Sequence, residues 1–283
     1  MPDRWEAPAK VNLGLRVRPR DPAGYHPVVS LVQTIQLVDT LEVETAEEDL
    51  LLVDGEIREG RDDLVWRAVD ELTAGRERPR LRWRLTKRIP VAAGLGGGSS
   101  DAAAALRATL AVTGWPDDPH PIAGRIGMDV AFFLVGGTAW MEGYGERITR
   151  IEPLRGFALT VVVPPFELRT EAVYRAWDEL DEPEGPPVGD RDLPPALRAY
   201  GPLRNDLTPA AVALRPELGD WIDELRHRWD RPVLLSGSGP ALFSFFADLD
   251  EAASAAEVVP AGTRFAEPAA LRSEGVTRRP DDR

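Results

Sequence analysis

Alternating apolar and polar positions predict β-strands in the first part of the chain. The alternation covers residues 5–18, and period-two segments rich in β-branched residues follow at 28–36 and 39–45. A further alternating segment at 81–89 leads directly into a glycine-rich run. Strands are also predicted over 136–141, 159–164, 232–235 and 241–246.

Apolar residues at helical spacing occur between these strands. The spacing predicts helices over 62–72, 102–112, 170–180, 209–214, 218–229 and 249–259. A segment rich in proline, glycine and acidic residues at 181–195 is expected to be an exposed loop, and the polar tail at 272–283 is expected to fray. The mixed order of strands and helices predicts an α+β fold with two lobes, which divide the chain into domains at 1–155 and 156–283.

The glycine-rich run at 90–101 carries the strongest chemical signal. Glycine lets main-chain N–H groups approach a ligand closely, and Ser100 or Asp101 is placed to cap a helix that starts near Ala102. A helix N-terminus that follows such a loop is an anion site, and a nucleotide phosphate is the expected anion. The expected phosphate-binding residues are Pro90, Ala93, Gly94, Leu95, Gly96, Gly97, Gly98, Ser99 and Ser100.

This run differs from the familiar nucleotide-binding motifs. A Walker loop needs Gly-Lys-Ser/Thr after its glycines, and here Ser99 follows Gly98. The dinucleotide fingerprint needs glycine at the position that Ser99 occupies, and no Asp-Phe-Gly of a protein kinase is present.

Composition narrows the class of protein. The 283 residues are 43% hydrophobic and 29% charged, which is typical of a globular protein, and the net charge of -13 disfavours nucleic acid as a partner. The lack of cysteine excludes disulfides and thiolate metal sites, and the three histidines are too far apart for ligand spacing. Because no leader and no membrane-length apolar run is present, we expect a cytoplasmic protein without membrane contact, and we predict no protein partner.

Lysine is rare in this chain, which draws attention to the positions that keep it. Among 34 basic residues, only Lys10 and Lys87 are lysines. Lysine offers a compact charge where arginine offers a wide planar fork, so a retained lysine favours a functional site. Asp129 stands beside an apolar segment, where a buried carboxylate is costly unless it is paired, and Lys10 is the expected partner. The alternatives are a helix or turn cap for Asp129 and a solvated strand charge for Lys10.

Three sequence blocks in a fixed order carry a resemblance to a known family. They are Pro-Ala-Lys-Val-Asn-Leu at 8–13, Pro-Val-Ala-Ala-Gly-Leu-Gly-Gly-Gly-Ser-Ser at 90–100 and Ser-Gly-Ser-Gly-Pro-Ala at 236–241. With these blocks the chain resembles the GHMP kinase superfamily, and further matches such as Gly-Tyr-His at 24–26 and Asn-Asp-Leu at 205–207 extend over nearly its whole length. The resemblance implies the two-lobed α+β GHMP kinase fold with its active site in the cleft between the lobes.

The resemblance also implies an activity and the residues that carry it. The pattern is most similar to kinases that use ATP and Mg²⁺ to phosphorylate the C2 hydroxyl of a cytidyl diphosphate of methylerythritol, in non-mevalonate isoprenoid synthesis. Lys10 and Asp129 are the implied catalytic pair: Lys10 keeps Asp129 ionised and contacts the γ-phosphate, while Asp129 either accepts the hydroxyl proton or only positions the hydroxyl. The implied substrate-binding residues are Asn12, Tyr25, His26 and Tyr174.

Individual roles follow from the same resemblance. Tyr25 would stack on the pyrimidine, His26 would hydrogen-bond the edge of the base, and Tyr174 would close the other side of the ring. Asp63 and Lys87 are implied on the adenine side, although Asp63 and Asp101 stand where members of the family commonly carry asparagine. No metal ligand is certain, because Mg²⁺ would be held by the ATP phosphates and by Ser99 or Ser100.

Two other functions remain as alternatives. The first is another GHMP kinase that acts on homoserine or a mevalonate-type substrate, which would share the phosphate loop but lack the Tyr25 and His26 loop with its paired Tyr174. The second is a non-catalytic member of the fold, which should have lost Lys10, Asp129 or the serines of the loop.

Overall fold

The computed structural model describes residues 2–22, 24–58 and 62–279. Among these residues, the strands are β1 (Asp3–Val17), β2 (Val28–Ala46), β3 (Leu50–Val53), β4 (Glu56–Ile57), β5 (Arg80–Thr86), β6 (Thr138–Gly143), β7 (Arg147–Arg150), β8 (Ala158–Val163), β9 (Leu234–Leu235), β10 (Leu242–Phe246), β11 (Phe265–Ala270) and β12 (Thr277–Arg279). The helices are α1 (Leu64–Thr73), α2 (Gly97–Thr113), α3 (His120–Ile126), α4 (Val130–Val135), α5 (Thr170–Glu179), α6 (Thr208–Leu214), α7 (Glu217–Trp229) and α8 (Leu249–Glu257), with 3₁₀ turns at Asp190–Asp192 and Pro195–Tyr200.

These strands form two sheets. The first has the order β12-β1-β2-β5-β3-β4, with β6 paired to β2 and β7 paired to β6. The second has the order β11-β8-β10-β9, and its paired strands are antiparallel. The structure therefore has the mixed helix and sheet content that the sequence predicted.

The buried apolar residues form three clusters that show how the layers stack. One lies between the first sheet and α1–α4, one lies between the two sheets, and one lies between the second sheet and α5–α8. Strand β8 illustrates why its sequence is apolar apart from Thr160: Leu159 and Val161 face the other sheet, while Ala158 and Val162 face the helices. A strand that is covered on both faces has no side that faces solvent.

Two predicted boundaries were wrong in an informative way. Strand β2 is continuous from Val28 to Ala46, where the sequence predicted separate strands at 28–36 and 39–45. Helix α2 begins at Gly97 and not near Ala102, so neither Ser100 nor Asp101 caps it. The physical reason is that Gly96 turns the chain with φ +73°, which lets the glycines and serines themselves form the first helical turn.

The end of the chain also differs from the prediction of a frayed tail. Strand β12 pairs with β1, and Arg272 donates its backbone N–H to the carbonyl oxygen of Thr34. Residues 280–283 lie outside the described part of the chain.

The predicted domain boundary at 155 lies between β7, which belongs to the first sheet, and β8, which belongs to the second. Strand β12 then returns to the first sheet. Within the described ranges, no helix combines the length and the apolar character that crossing a membrane requires.

Candidate active site

A cavity of about 680 Å³ lies where the first sheet meets the helices of the second. Its walls come from β1 and the loop that follows it, from the glycine run, from the turn before α4, from α5 and from the turn at 237–238. The residues that line it include Lys10, Asn12, Tyr25, His26, Gly94, Gly96, Ser99, Asp129 and Tyr174. The fold thus brings together, in one cavity, side chains that the sequence predicted from distant segments.

Lys10 and Asp129 face each other in this cavity. The Nζ atom of Lys10 lies 3.4 Å from Oδ2 of Asp129, and the side chains are 6% and 26% exposed respectively. Asp129 occupies the N-cap position of α4, yet its side chain makes no capping hydrogen bond. The carboxylate is therefore directed at the buried lysine, and the structure shows neither of the alternatives, a helix cap or a solvated strand charge.

Strand alternation sets the orientation of Lys10 and its neighbour Asn12. Because they are two residues apart on β1, they share a face, while Val11 between them packs between the sheets. Lys10 Nζ donates to Asn12 Oδ1 over 2.6 Å, and Asn12 Nδ2 donates to Ser30 Oγ over 2.8 Å. This chain of hydrogen bonds across β1 and β2 holds the lysine ammonium in place.

Glycine is required at two turns of the glycine run. Gly94 has φ +80°, and a Cβ there would lie 2.3 Å from the carbonyl oxygen of Ser236. Gly96 has φ +73°, and a Cβ there would lie 2.8 Å from the Phe133 ring. The run is therefore a fixed, tightly packed loop, and not a flexible linker.

Hydrogen bonds turn the carbonyl groups of this loop toward the protein. The carbonyl oxygens of Ala93 and Leu95 accept from the backbone N–H groups of Ala241 and Lys10, over 3.0 and 2.9 Å. Gly94 O accepts from Ser236 Oγ over 3.0 Å. The opening N–H groups of α2 have no acceptor within the helix, so they are free to bind an anion, and phosphate binding by this loop stays a prediction.

The two serines of the loop have different environments. Ser99 lines the cavity, whereas Ser100 is fully buried and its hydroxyl has no hydrogen-bond partner among the described residues. Ser99 is therefore the serine with access to a bound phosphate or metal ion. No group of metal-ligating side chains is found in the described part of the chain.

Lys87, for which the family resemblance implied a position near adenine, is held in ion pairs at the base of the loop. Its Nζ lies 2.5 Å from Asp39 Oδ2 and 2.6 Å from Asp101 Oδ2. Burial lowers the pKa of Lys87, but the carboxylates of Asp101 and Asp39 outweigh it and raise the pKa above its usual value. Asp63, the other predicted adenine-side residue, caps α1 by accepting from the backbone N–H of Val65 over 2.8 Å.

Burial has the opposite consequence for the acidic partner of Lys87. It raises the pKa of Asp101 to about 8, against the attraction of Lys87 and with the added repulsion of Asp39. Asp101 therefore links α2 to the segment after β5, and it is not the helix cap that was one of the two predicted alternatives.

At the other end of the cavity, His26 and Tyr174 stack on each other. Their ring centroids are 5.7 Å apart at an interplanar angle of 21°. Burial raises the pKa of Tyr174 well above its usual value, and the charge of Asp129 acts in the same direction, so this phenol stays neutral. Tyr25 is 67% exposed beside the cavity, with its ring edge-on to Tyr144.

Several cavity residues were not singled out as site residues from the sequence. They are Arg20, Tyr144, Thr170, Glu171, Arg175, Gly237 and Ser238. The Ser-Gly-Ser-Gly block at 236–239 was a usable signal, since Ser236 supports the loop and Thr170 Oγ1 lies 2.9 Å from Ser238 Oγ. Thr170, Glu171 and Arg175 on α5 had no such signal, because polar residues are expected on the exposed face of any surface helix.

Comparison with known proteins agrees with this geometry. Residues 63–137 match the family model of the GHMP kinases N terminal domain, and residues 193–262 match that of the GHMP kinases C terminal. The chain is similar to the 4-diphosphocytidyl-2-C-methyl-D-erythritol kinase of Pelotomaculum thermopropionicum, with 39% identity over 87% of this chain and 90% of that one. It is similar to the kinase of the same name from Geobacter sulfurreducens, with 36% identity over 95% of this chain and 98% of that one.

Solved structures show the same relationship. A crystal structure of 4-(cytidine 5'-diphospho)-2C-methyl-D-erythritol kinase has a TM-score of 0.79 and 38% identity, covering 94% of this chain and 98% of that one. The homoserine kinase of Cytophaga hutchinsonii has a TM-score of 0.71 at 15% identity, covering 98% and 97% of the two chains, which shows a shared fold alone. The chain belongs to the GHMP kinase family and, within it, to the 4-diphosphocytidyl-2-C-methyl-D-erythritol kinases.

Proposed function

We propose that this protein transfers the γ-phosphoryl group of ATP to the C2 hydroxyl of 4-diphosphocytidyl-2-C-methyl-D-erythritol, giving the 2-phosphate and ADP. The observation that carries the proposal is the pairing of buried Lys10 with Asp129 at 3.4 Å, in the same cavity as the glycine loop. The similarity to kinases of that name over most of the chain supports the substrate.

The residues divide the work of phosphoryl transfer between them. The N–H groups of the glycine loop and the start of α2 would bind the ATP phosphates, and Lys10 would balance the charge on the transferred group. Asp129 would accept the hydrogen bond of the C2 hydroxyl and aim its oxygen at phosphorus, and it takes the proton if that leaves during the step. The bond from phosphorus to the β,γ-bridging oxygen then breaks, and ADP departs.

Magnesium fits this arrangement as an ion that is bound mainly by ATP. Mg²⁺ prefers oxygen ligands and keeps several waters, so it needs only one or two protein groups beside the phosphates. The Ser99 hydroxyl, and the Asp129 carboxylate across the cavity, are oxygen donors of the right kind. When bound, the ion would neutralise phosphate charge, whereas Ser100 is buried away from the cavity.

At the far end of the cavity, we assign the cytidyl group to the aromatic side chains. Tyr25 offers an exposed face for stacking on the pyrimidine, and Tyr174 contributes a second ring. Asn12 would contact the reacting end of the substrate, since its side chain is hydrogen-bonded to the Lys10 ammonium. Contacts of Lys87 and Asp63 with adenine stay predictions, because both side chains already have partners here.

The domain division and the cellular setting belong to the same proposal. The change of sheet between β7 and β8 supports two lobes that meet near residue 155, with the cavity at their junction. A cytoplasmic location and the lack of a nucleic-acid, membrane or protein partner stay predictions from the sequence.

A turnover assay tests the function. Purified protein is incubated with ATP, Mg²⁺ and the cytidyl diphosphate alcohol, and ³¹P NMR follows the new phosphomonoester together with ADP. Homoserine and mevalonate are assayed in parallel as acceptors. We expect turnover with the cytidyl substrate alone; turnover only with another alcohol, or with none, would refute the proposal.

A further inference from the structure

One wall of the cavity is joined to another by a cluster of three side chains, two of which have no assigned role. The loop at 18–27 and helix α5 both line the cavity. Asp178, near the end of α5, lies outside the lining and reaches the loop: it forms an ion pair with Arg20, and its Oδ1 lies 3.1 Å from Nε2 of His26. We call Arg20, His26 and Asp178 the loop clasp.

Both ring nitrogens of His26 are engaged in this cluster. Nδ1 donates to the carbonyl oxygen of Arg18 over 3.0 Å, and Nε2 lies between Asp178 Oδ1 and Arg20 Nε, at 3.1 and 3.4 Å. The His26 side chain is 5% exposed, and its ring packs edge-on against Trp177 with the centroids 5.3 Å apart. A base edge that bonded to this imidazole would have to displace one of these partners.

Helix geometry makes the clasp and the stacking pair a single unit. Tyr174 and Asp178 are four residues apart on α5, so they lie on the same face, one turn apart. Tyr174 stacks on the His26 ring while Asp178 holds its Nε2 edge. Fixing His26 also fixes its chain neighbour Tyr25, whose exposed ring has few contacts of its own.

We propose that Asp178 and Arg20 are positioning residues for the cytidyl end of the substrate: they hold the loop at 18–27 against α5, so that Tyr25 is preorganised for the base. In this arrangement the His26 ring, which also lines the cavity, is held in place from both of its nitrogens. The proposal rests on the proposed function for the identity of the substrate. Preorganisation lowers the entropy cost of binding, so its loss appears in the affinity for the group that the loop contacts.

Kinetics with both substrates separates positioning from a structural role. Asp178→Asn removes the charge and keeps the size, and because exposed ion pairs add little to stability, the variant is expected to fold. We expect KM for the cytidyl diphosphate alcohol to rise roughly tenfold, while KM for ATP and kcat stay within about twofold. Glu179→Gln, an exposed carboxylate at the end of the same helix, is the matched control and should change neither KM.

A double-variant cycle tests whether the clasp acts as a unit. Arg20→Gln alone should also raise KM for the cytidyl substrate, and it provides the test if Asp178→Asn proves unstable in thermal unfolding. The double variant should raise KM no more than the stronger single variant does. Additive effects, an unchanged KM, or equal rises in the KM of both substrates would each overturn the proposal.

The wild-type protein separates this proposal from the function on which it rests. If the wild type phosphorylates the cytidyl substrate and the variants match it, only the clasp is refuted. If the wild type does not phosphorylate it, the proposed function fails first. Binding of cytidine diphosphate, measured by calorimetry with a non-hydrolysable ATP analogue saturating the ATP site, gives a second readout, which Asp178→Asn should weaken by the same factor.

Discussion

At the scale of single residues, the catalytic proposal depends on one buried cation and one carboxylate. Lys10 is 5% exposed, yet it has both Asp129 and the Asn12 side chain within reach, so its charge is compensated. A lysine buried without such partners would lose its proton more readily, and with it the positive charge that attracts phosphate. The pair therefore needs both members.

Removing either charge of this pair should abolish most of the activity. We expect Lys10→Met and Asp129→Asn each to lower kcat by about a hundredfold or more, because the charge that stabilises the transferred group or orients the hydroxyl is lost. ADP release in a coupled assay measures kcat, and circular dichroism checks folding. Asp118→Asn, at a 67% exposed side chain, is the control, and near-normal kcat in Lys10→Met or Asp129→Asn would contradict the assigned roles.

A methyl group at Gly94 should disrupt the phosphate loop. Because its Cβ would lie 2.3 Å from Ser236 O, Gly94→Ala forces the loop away from the 236–239 turn. We expect KM for ATP to rise about tenfold or more, since the N–H groups then miss the phosphates. Gly114→Ala is the matched control: its φ of +69° is similar, but a Cβ there meets nothing within 4 Å. It should cost only about 1 kcal/mol of stability and leave KM unchanged.

At the scale of elements, α2 and the residues that follow β5 are joined by titratable side chains under the loop. Asp39 Oδ1 accepts from the backbone N–H groups of Arg88 and Ile89, over 2.5 and 2.9 Å, while its Oδ2 and that of Asp101 hold Lys87. One oxygen of Asp101 has no hydrogen-bond partner among the described residues. Two carboxylates thus share one ammonium in a dry site, which favours a retained proton.

The stability difference between Asp101→Asn and the wild type should depend on pH. The folded-state pKa of about 8 lies above the ordinary aspartate value of 3.8, so the folded state binds the proton more tightly. The contribution of Asp101 to the free energy of unfolding of the wild type therefore decreases as pH rises from about 4 to about 8. Asparagine mimics the protonated acid and does not titrate, so the variant does not show this decrease.

Urea unfolding of both proteins at several pH values measures this effect. We expect the free energy of unfolding of the variant, minus that of the wild type, to increase by about 1 kcal/mol or more across the interval. Other groups titrate in both proteins and cancel in the difference. A difference that is flat with pH would show that Asp101 is ionised throughout.

At the scale of the whole molecule, the segment 203–207 links β1 to the turn that supports the glycine loop. Asn205 Nδ2 donates to the carbonyl oxygens of Leu235 and Gly237, over 2.8 and 2.7 Å. Asp206 Oδ2 accepts from the N–H of Val17 at the end of β1 over 3.1 Å, and its Oδ1 accepts from that of Gly185 over 3.1 Å. This buried link holds the two walls of the cavity in register.

Loss of Asp206 should weaken the whole fold. Asp206→Ala leaves buried N–H groups of Val17 and Gly185 unpaired, and we expect the free energy of unfolding to fall by about 2–4 kcal/mol. Asp206→Asn keeps one acceptor oxygen and should lose about half as much. Denaturant midpoints with unchanged slope provide the measurement, and an alanine variant as stable as the wild type would show that the link has no structural importance.

The sequence by itself determined the α+β class and most of the longer elements, because period-two and helical spacing are local patterns. It also predicted that Lys10 and Asp129 pair, because a carboxylate beside an apolar segment is costly without a cation, and the structure places the two side chains 3.4 Å apart. Only the tertiary structure showed that Lys87 is held in ion pairs, that Ser100 is buried and that Asp101 does not cap α2. Burial at a junction of strand, loop and helix leaves no local pattern in the sequence. Contacts distant in sequence, such as β12 on β1 and Asp178 on His26, likewise depend on how the chain folds back on itself.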